Sequence, residues 1–507
     1  MKKIYNICVM ALFLVIITSC ENGFDELNTS KTGATSLDPA LVLNNAIISS
    51  SFPGGILTYE LGIVQQLISP NTGVLEGANF NKDNSNNTVS NWENYYRNVL
   101  KYTSDVITRT EGDATRVNLR NMARIVRANA FIILSDTYGS VPFEEGGNGY
   151  TGQVFFPVYE SQQAIYTGVI QELKDATGAL SAVGKIETAD VLYGGNIDQW
   201  KKYGYSLLLR AGMRLSKRDA ATAQTTVAAA FAGGVILSND DNAVIRHDAN
   251  YTNPPGNTLN GTEAANFFLA EPFVDALKSN NDPRLSAIAV RFVGATSGPA
   301  QVAGVATTDP ADQFGLPMGS TDGDADLSGA GLPGGGSRYA YSQCDRTRLV
   351  KRTSPVFLLT AGQTNLLLAE ARFRGWIATG TADGYFSDGI KAHMDQMELY
   401  DAGSAVDAAD RDAYAAARVG TFAGNELEHI NYEYWVASFL NGPEAWSNFR
   451  RSGFPQLEVN PFPGRIVDFI TRLTYPPSEI LVNSDNVQAA ITAQGPDKLD
   501  TKLWWDN

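Results

Sequence analysis

Apolar residues recur at helical spacing along much of the chain. Ile165, Val169, Leu173, Ala176 and Leu180 lie four, four, three and four residues apart and share one helix face. Tyr203, Leu207, Ala211 and Leu215 repeat that pattern, and Trp92, Tyr95, Tyr96 and Leu100 begin another. Residues 120–138 (RNMARIVRANAFIILSDTY) turn apolar on all sides after Asn129, which predicts a buried helix. Asp38 and Pro39 read as an N-cap and first-turn proline opening a helix through Ile48. Helical patterns return at 356–374, 385–400 and 425–451, whereas strand signals are short, the clearest being AVRFV at 289–293. Residues 238–262 and 294–348 are rich in Gly, Pro, Asn, Asp and Tyr and read as long loops. Long helices with Ala-rich faces and short turns predict stacked helical hairpins in one mainly α domain. No clean 34-residue self-similarity supports a repeat assignment from spacing alone.

The first twenty residues break from this pattern. Lys2 and Lys3 precede an unbroken apolar run of nine, VMALFLVII at 9–17. That run is too short to span a bilayer, which takes ~20 residues, but it suits the core of a signal peptide. It ends in Ile17-Thr18-Ser19-Cys20, which resembles the lipobox of bacterial lipoproteins. The resemblance implies cleavage before Cys20 and acylation of that residue. With ~0.8 kcal/mol per buried CH₂, several acyl chains hold a protein on a membrane almost permanently. The expected organisation is therefore a signal peptide at 1–19, a lipid-anchored polar tether at 20–37 and one domain at 38–507. No second run of ~20 apolar residues follows, so the chain is expected to sit on a membrane without crossing it. Only Cys344 then remains of the three cysteines, Cys8, Cys20 and Cys344, so no internal disulfide is expected.

Composition narrows the partners. At 44% hydrophobic residues the chain can fill a core, and its net charge of −15 argues against nucleic acid, whose phosphates need Lys and Arg. Searches for catalytic or metal chemistry find little. No CxxC or HExxH occurs, and His247, His393 and His429 lie far apart, which suits structural histidines better than metal ligands. Gly329, Gly331 and Gly334 fit GxGxxG, but neither a strand before nor a helix after supports a dinucleotide site. Asp322, Asp324 and Asp326 alternate in a loop and are weak candidates for calcium, which needs 6–8 oxygens. The spacing fails the EF-hand pattern, with Leu327 in place of the turn glycine and Pro333 in place of the bidentate Glu, so a solvated acidic loop is the expectation. Glu144 and Glu145 are sequence neighbours, which does not place two carboxylates across a sugar. No catalytic residues and no cofactor are assigned.

Several stretches carry a resemblance. EYWVASFLNGPEAWSNFRRSGFP at 433–455 resembles the aromatic-plus-RRxGxP signature of the SusD/RagB family of nutrient-binding lipoproteins, in its SusD-like branch. ARIVRANAFIILSDTYGSVPF at 123–143 is similar to that family's helix ending in D-x-Y-G-x-x-P. FPVYESQQAIY at 156–166, DVLYGG at 190–195, Trp200-Lys201-Lys202, Leu209-Arg210, LAEA at 368–371, RLTYPPSE at 472–479, Asn483 and WWD at 504–506 follow in the family's order. AGQT at 361–364 departs where family members usually carry a Glu. The motifs themselves read as scaffold: Arg450 and Arg451 beside Trp446 suit internal stacking and pairing.

The resemblance implies a mainly α fold of tetratricopeptide-like helix pairs scaffolding long irregular loops. It implies a non-catalytic lipoprotein on the outer membrane, facing outward, that binds a glycan or sometimes a peptide. The implied partner is a SusC-like TonB-dependent transporter. Of functional residues it carries over only the lipidated Cys20.

Ligand contacts must come from chemistry. Sugar rings present apolar CH faces and polar edges, so recognition wants exposed aromatic platforms flanked by Asn, Asp, Gln or Arg. Phe80 between Asn79 and Asn81 fits, as does Arg338-Tyr339-Ala340-Tyr341, where alternation would put both tyrosines on one face. Tyr251 and Phe314 are weaker candidates, and Trp92, Trp200, Trp435 and Trp446 are expected in the core. The alternatives are a peptide-binding RagB-like lipoprotein, a surface glycan hydrolase with a loop carboxylate pair, and a structural lipoprotein without a ligand.

Overall fold

The computed structural model describes residues 37–506 apart from 325, 326, 328 and 330. Cys20, the signal and tether segments and Asp326 lie outside the described residues. The helix Pro39–Ser49 packs on Lys101–Arg109, which packs on Val117–Tyr138. Gln162–Ala179, Ile197–Arg214 and Ala220–Gly233 then each lie against the preceding helix. A second succession comprises Ala361–Phe373, Ala382–Tyr400, Ala408–Gly420, Glu426–Ala437 and Gly442–Ser452. Ile197–Arg214 contacts Ala361–Phe373 and joins the two. From Pro39 onward the described residues form one unit. The stretch Pro39–Leu57 is apolar and long enough to cross a membrane, yet 61% of it is buried, with Leu43, Ala46, Ile47, Ile56 and Leu57 in the core.

Among the described residues, three small antiparallel sheets sit outside the helices. Leu67–Ile68 pairs with Phe268–Leu269, and Ala243–Ile245 with Val356–Leu359. Ala289–Phe292 is flanked by Ala306–Thr307 and Gln343–Cys344. The helical pattern expected at 356–374 therefore splits: its first residues are a strand and the helix starts after Thr360, whose hydroxyl accepts the Gln363 N–H. The pattern at 425–451 also breaks in two, between Ala437 and Gly442, where Leu440 takes a left-handed φ of 68° and Pro443 restarts the helix.

Buried ion pairs lock the helices to one another. Arg214 donates to Asp136 at 3.1 Å and to Glu444 at 2.7 Å. Asp136 also accepts from Tyr166 and from the indole of Trp505, and Glu444 from Tyr434. Arg451 grips Glu370 through both amino groups, each at 2.7 Å, and Arg450 lies 3.7 Å from the centre of the Trp446 ring. Arg284 joins Asp282 and Glu433, both at 2.6 Å. Burying these charges is tolerable because Arg214, Arg451 and Arg284 meet carboxylates and carry further hydrogen bonds, while Arg450 donates to the Thr471 carbonyl at 2.7 Å and the Ser447 hydroxyl at 3.1 Å. At the unusual AGQT segment, the buried Gln363 amide accepts from Arg210 and donates to Ser438. These buried Arg, Asp, Glu and Trp residues of the family-like motifs are thus consumed in the scaffold.

Candidate functional site

The motif RRSGFP leads from this scaffold to a surface. Gly453 ends the helix Gly442–Ser452 in the left-handed region (φ 79°), its N–H returning to the Phe449 carbonyl at 2.8 Å. The chain then runs through the loop 456–468, which meets two other loops, 69–83 and 314–342. Short polar side chains fasten them together. The Asn79 amide donates to the carbonyls of Ser69 (2.8 Å) and Ser320 (3.0 Å) and accepts from the Gly319 N–H (2.8 Å). Asn81, in the left-handed region at φ 45°, donates to the carbonyls of Val467 (3.0 Å) and Asp468 (2.8 Å). Asn460 donates to Ala78 and Asn79 and accepts from Phe462. The Asp322 N–H bonds the Pro70 carbonyl, and Arg338 donates to the Asp322 carbonyl at 2.9 Å. Two regions more than 200 residues apart in sequence, around Asn79 and around Arg338, are thereby brought together by the segment between Gly319 and Asp322.

Individual candidates fare differently. Phe80 is fully buried, edge-on to Phe462 at 4.9 Å, and offers no platform; Asn79 and Asn81 are buried with their amides spent on loop carbonyls. These three corrections share one cause: the loops need internal partners to hold their shape. Tyr339 and Tyr341 do not share a face, because Arg338–Ala340 forms a 3₁₀ turn that breaks the alternation. Tyr339 stays half-buried against Val290, Phe292 and Ala295, while Tyr341 is buried among Ile68, Phe268 and Leu316. Arg338 lies over the Tyr339 ring at 4.9 Å and donates to its hydroxyl. Phe314 is half-buried between the cations of Lys278 (4.4 Å) and Arg291 (5.0 Å). Tyr251 is exposed in a separate turn, held by Asp248 and by His247, whose ring nitrogen meets its carbonyl at 2.7 Å.

The reading from sequence missed Phe462, Asn460 and Arg291. Phe462 is half-buried with the Lys82 ammonium 5.7 Å from its ring, and Lys82 pairs with Glu76 at 3.3 Å. Arg291 is fully buried and donates to the carbonyls of Ala340 (2.7 Å), Asp312 (3.2 Å) and Pro333 (2.7 Å). A lone Arg inside the apolar run AVRFV was the available signal for Arg291; nothing local marks Phe462. The surface that results presents Tyr339, Phe462, Val74 and Ile466, the last two exposed, amid backbone and amide polar groups.

The acidic loop does not form a cation cage among the described residues. Both Asp324 carboxylate oxygens accept from Thr321, through its N–H and its hydroxyl, and no group of three metal-ligating side chains occurs among those residues. Glu145 is engaged by the Val158 N–H at 2.9 Å, a loop-holding role. Burial pushes the Cys344 thiol up and lowers His393, which also faces Arg284.

Comparison with known proteins agrees with this architecture. A family model described as starch-binding and associating with the outer membrane matches residues 37–476. A solved chitin-binding protein is 30% identical, with a TM-score of 0.80 over 93% of this chain and 100% of its own. A SusD-like protein described as Bacteroidetes AC2a is 27% identical, with a TM-score of 0.81 over 93% and 100%. A chitin-binding SusD homologue from Flavobacterium johnsoniae is 23% identical, with a TM-score of 0.73 over 92% and 98%, and shares the fold. No curated protein matches the sequence. The family match across most of the chain, on a scaffold of paired helices carrying long loops, places this protein in the SusD-like family.

Proposed function

We propose that this protein is a non-catalytic surface lipoprotein that captures a neutral oligo- or polysaccharide on the surface built by loops 69–83, 314–342 and 456–468. The observation that carries the reading is the convergence of these loops. Their buried Asn and Arg groups fix the backbone and leave Tyr339 and Phe462 half-open as flat faces. Such faces suit the CH side of a sugar ring, and surrounding amides and carbonyls suit its hydroxyls. Family membership, with its outer-membrane association, and the chitin-binding relative make starch-type and chitin-type glycans the first ligands to try. Cys20 is the lipid anchor in this reading, 20–37 the tether and 38–507 the binding domain. The surface faces outward and passes ligand to a SusC-like TonB-dependent transporter. Pull-down of such a barrel from solubilised outer membrane tests that partnership.

The ligand reading is tested by affinity electrophoresis of residues 21–507 through gels containing soluble starch, glycol chitin or other neutral glycans. Tyr339→Ala and Phe462→Ala variants run alongside, with thermal unfolding as a fold control. Retardation by one glycan, weakened about tenfold or more in each variant, is the expected result. Tyr341 is unsuited to this test because its burial would confound binding with folding. Retardation by no glycan would replace the carbohydrate reading with a peptide one.

A further inference from the structure

A second aromatic cleft, lined by residues other than those of the loop surface, lies between the helical segment around Trp92 and the segments 142–157 and 478–479. It encloses about 260 Å³. Its floor is the Trp92–Tyr96 pair, whose ring centres are 4.7 Å apart. Phe155 forms one wall and is 69% exposed, unusual for so large a ring that no packing requires at the surface. The backbone behind it is fixed: Asn486 donates to the Phe156 carbonyl at 3.1 Å and Asn483 to that of Pro157 at 2.9 Å. Polar groups stand on the rim. Glu479 takes the Tyr159 hydroxyl at 2.8 Å on one oxygen, and its other oxygen has no hydrogen-bond partner among the described residues. Arg97 touches Glu93 with one amino group at 3.3 Å, and its remaining donors have no hydrogen-bond partner among the described residues. One helical turn further on, the Lys101 ammonium lies 5.9 Å from the ring of Tyr150, which is also exposed.

We propose that this cleft is a second saccharide-binding site, taking one ring of a neutral glycan between Phe155 and Tyr96 with its hydroxyls on Glu479, Glu93 and Arg97. The inference rests on the reading of the protein as a glycan binder and extends it to a place that the loop surface does not include. An open aromatic wall beside free acceptors and donors matches a ring with one apolar face and a polar edge. The carboxylates of Glu93 and Glu479 against the cations of Arg97 and, one turn on, Lys101 leave no net positive charge there to hold an acidic polysaccharide. The size of the cleft admits a single ring, and the row toward Lys101 and Tyr150 leaves room for the chain to continue.

Isothermal titration of residues 21–507, which contain the whole unit from Pro39, with chitohexaose and with maltoheptaose tests this. Three proteins are compared: the unaltered chain, Phe155→Ala/Glu479→Gln and Tyr339→Ala/Phe462→Ala. The unaltered chain is expected to take two saccharides, and the cleft variant to lose one of them, or weaken it at least about tenfold, while keeping the other. The loop variant should show the converse. Full binding by the cleft variant would overturn the proposal and leave the loop site standing. If the cleft variant binds sugar normally but fails to pull down the transporter, the exposed ring belongs to a protein interface and the proposal is again overturned. If neither sugar binds the unaltered chain, the glycan reading falls for both ligands tested and the cleft loses its assigned ligand with it. Phe155→Tyr, which keeps the flat face, should retain the second site and separates loss of the platform from loss of fold.

Discussion

Glu60 is buried in the core with one side-chain donor, the Asn91 amide, to receive its charge. Burial pushes its carboxyl up to about 7 from an ordinary value of 4.5, even though its own N–H, Asn91 and Arg450 favour the ionised form. Between pH 4.5 and about 7 the folded chain therefore keeps a proton that the unfolded chain has lost. The sign is a cost: stability falls as pH rises through that window and levels off above it. Glu60→Gln, neutral at every pH, should be more stable than the unaltered chain at pH 8. Its advantage there should exceed that at pH 4 by roughly 3 kcal/mol, at ~1.4 kcal/mol per unit. Urea unfolding at the two pH values reads this directly, and an equal difference at both would show that Glu60 ionises freely in the folded state. Glu370 behaves oppositely. Burial alone would raise it, but Arg451 and Arg374 hold it down to about 2, so its contribution is lost only as pH falls from about 4.5 toward that value. At this scale the sequence was informative where a residue type has few options. Trp435 and Trp446 had to be buried with their N–H groups paired, and they donate to the carbonyls of Val64 and Ile470. It was uninformative where a short loop side chain chooses between ligand and backbone, as Asn79 and Asn81 do.

Among the elements, one close helix crossing is set by glycine. Gly362 and Gly389 face each other between Ala361–Phe373 and Ala382–Tyr400. A Cβ on Gly389 would come within 2.6 Å of Leu366 and 3.1 Å of the Gly362 carbonyl. The Gly362 backbone cannot yield without parting the helices. Gly389→Val is expected to destabilise the fold by about 2–3 kcal/mol, and Gly389→Ala by less, measured by chemical unfolding. Stability unchanged in Gly389→Val would mean the pair is looser than this geometry. Helices with an apolar stripe were legible from spacing: residues 120–138 lie within Val117–Tyr138, and the row from Ile165 lies along Gln162–Ala179. Ala220–Gly233 and Ala408–Gly420 were not, because their small or charged faces carry only a narrow buried stripe. The ladder of Ala243–Ile245 with Val356–Leu359 joins residues more than 100 apart, and no local pattern announces such a pairing. The expected period at 338–341 failed for the same reason: a 3₁₀ turn is decided by where the flanking loop must go.

The whole molecule divides its residues between two tasks. Family-like motifs, with their paired Arg, Glu, Asp and Trp, build the helical frame, and they were legible in the sequence through their resemblance to the SusD/RagB family. The proposed recognition surface is assembled from loops whose proximity depends on that frame, so its membership emerged only in three dimensions. Asn79, Asn460 and Arg291 are the fasteners, and Phe462 is a face that sequence gave no reason to select. The central claim is that loops 69–83, 314–342 and 456–468 act together as the ligand-binding surface. Hydrogen–deuterium exchange of residues 21–507 with and without saturating glycan, using the polymer that retards the protein, tests it most directly. The account predicts slowed exchange in all three loops at once, with the helices Val117–Tyr138 and Ala361–Phe373 unchanged. Slowed exchange at 92–97 and 153–159 in addition would report the second cleft. Protection confined to regions outside the three loops, or none in them at saturation, would contradict the account.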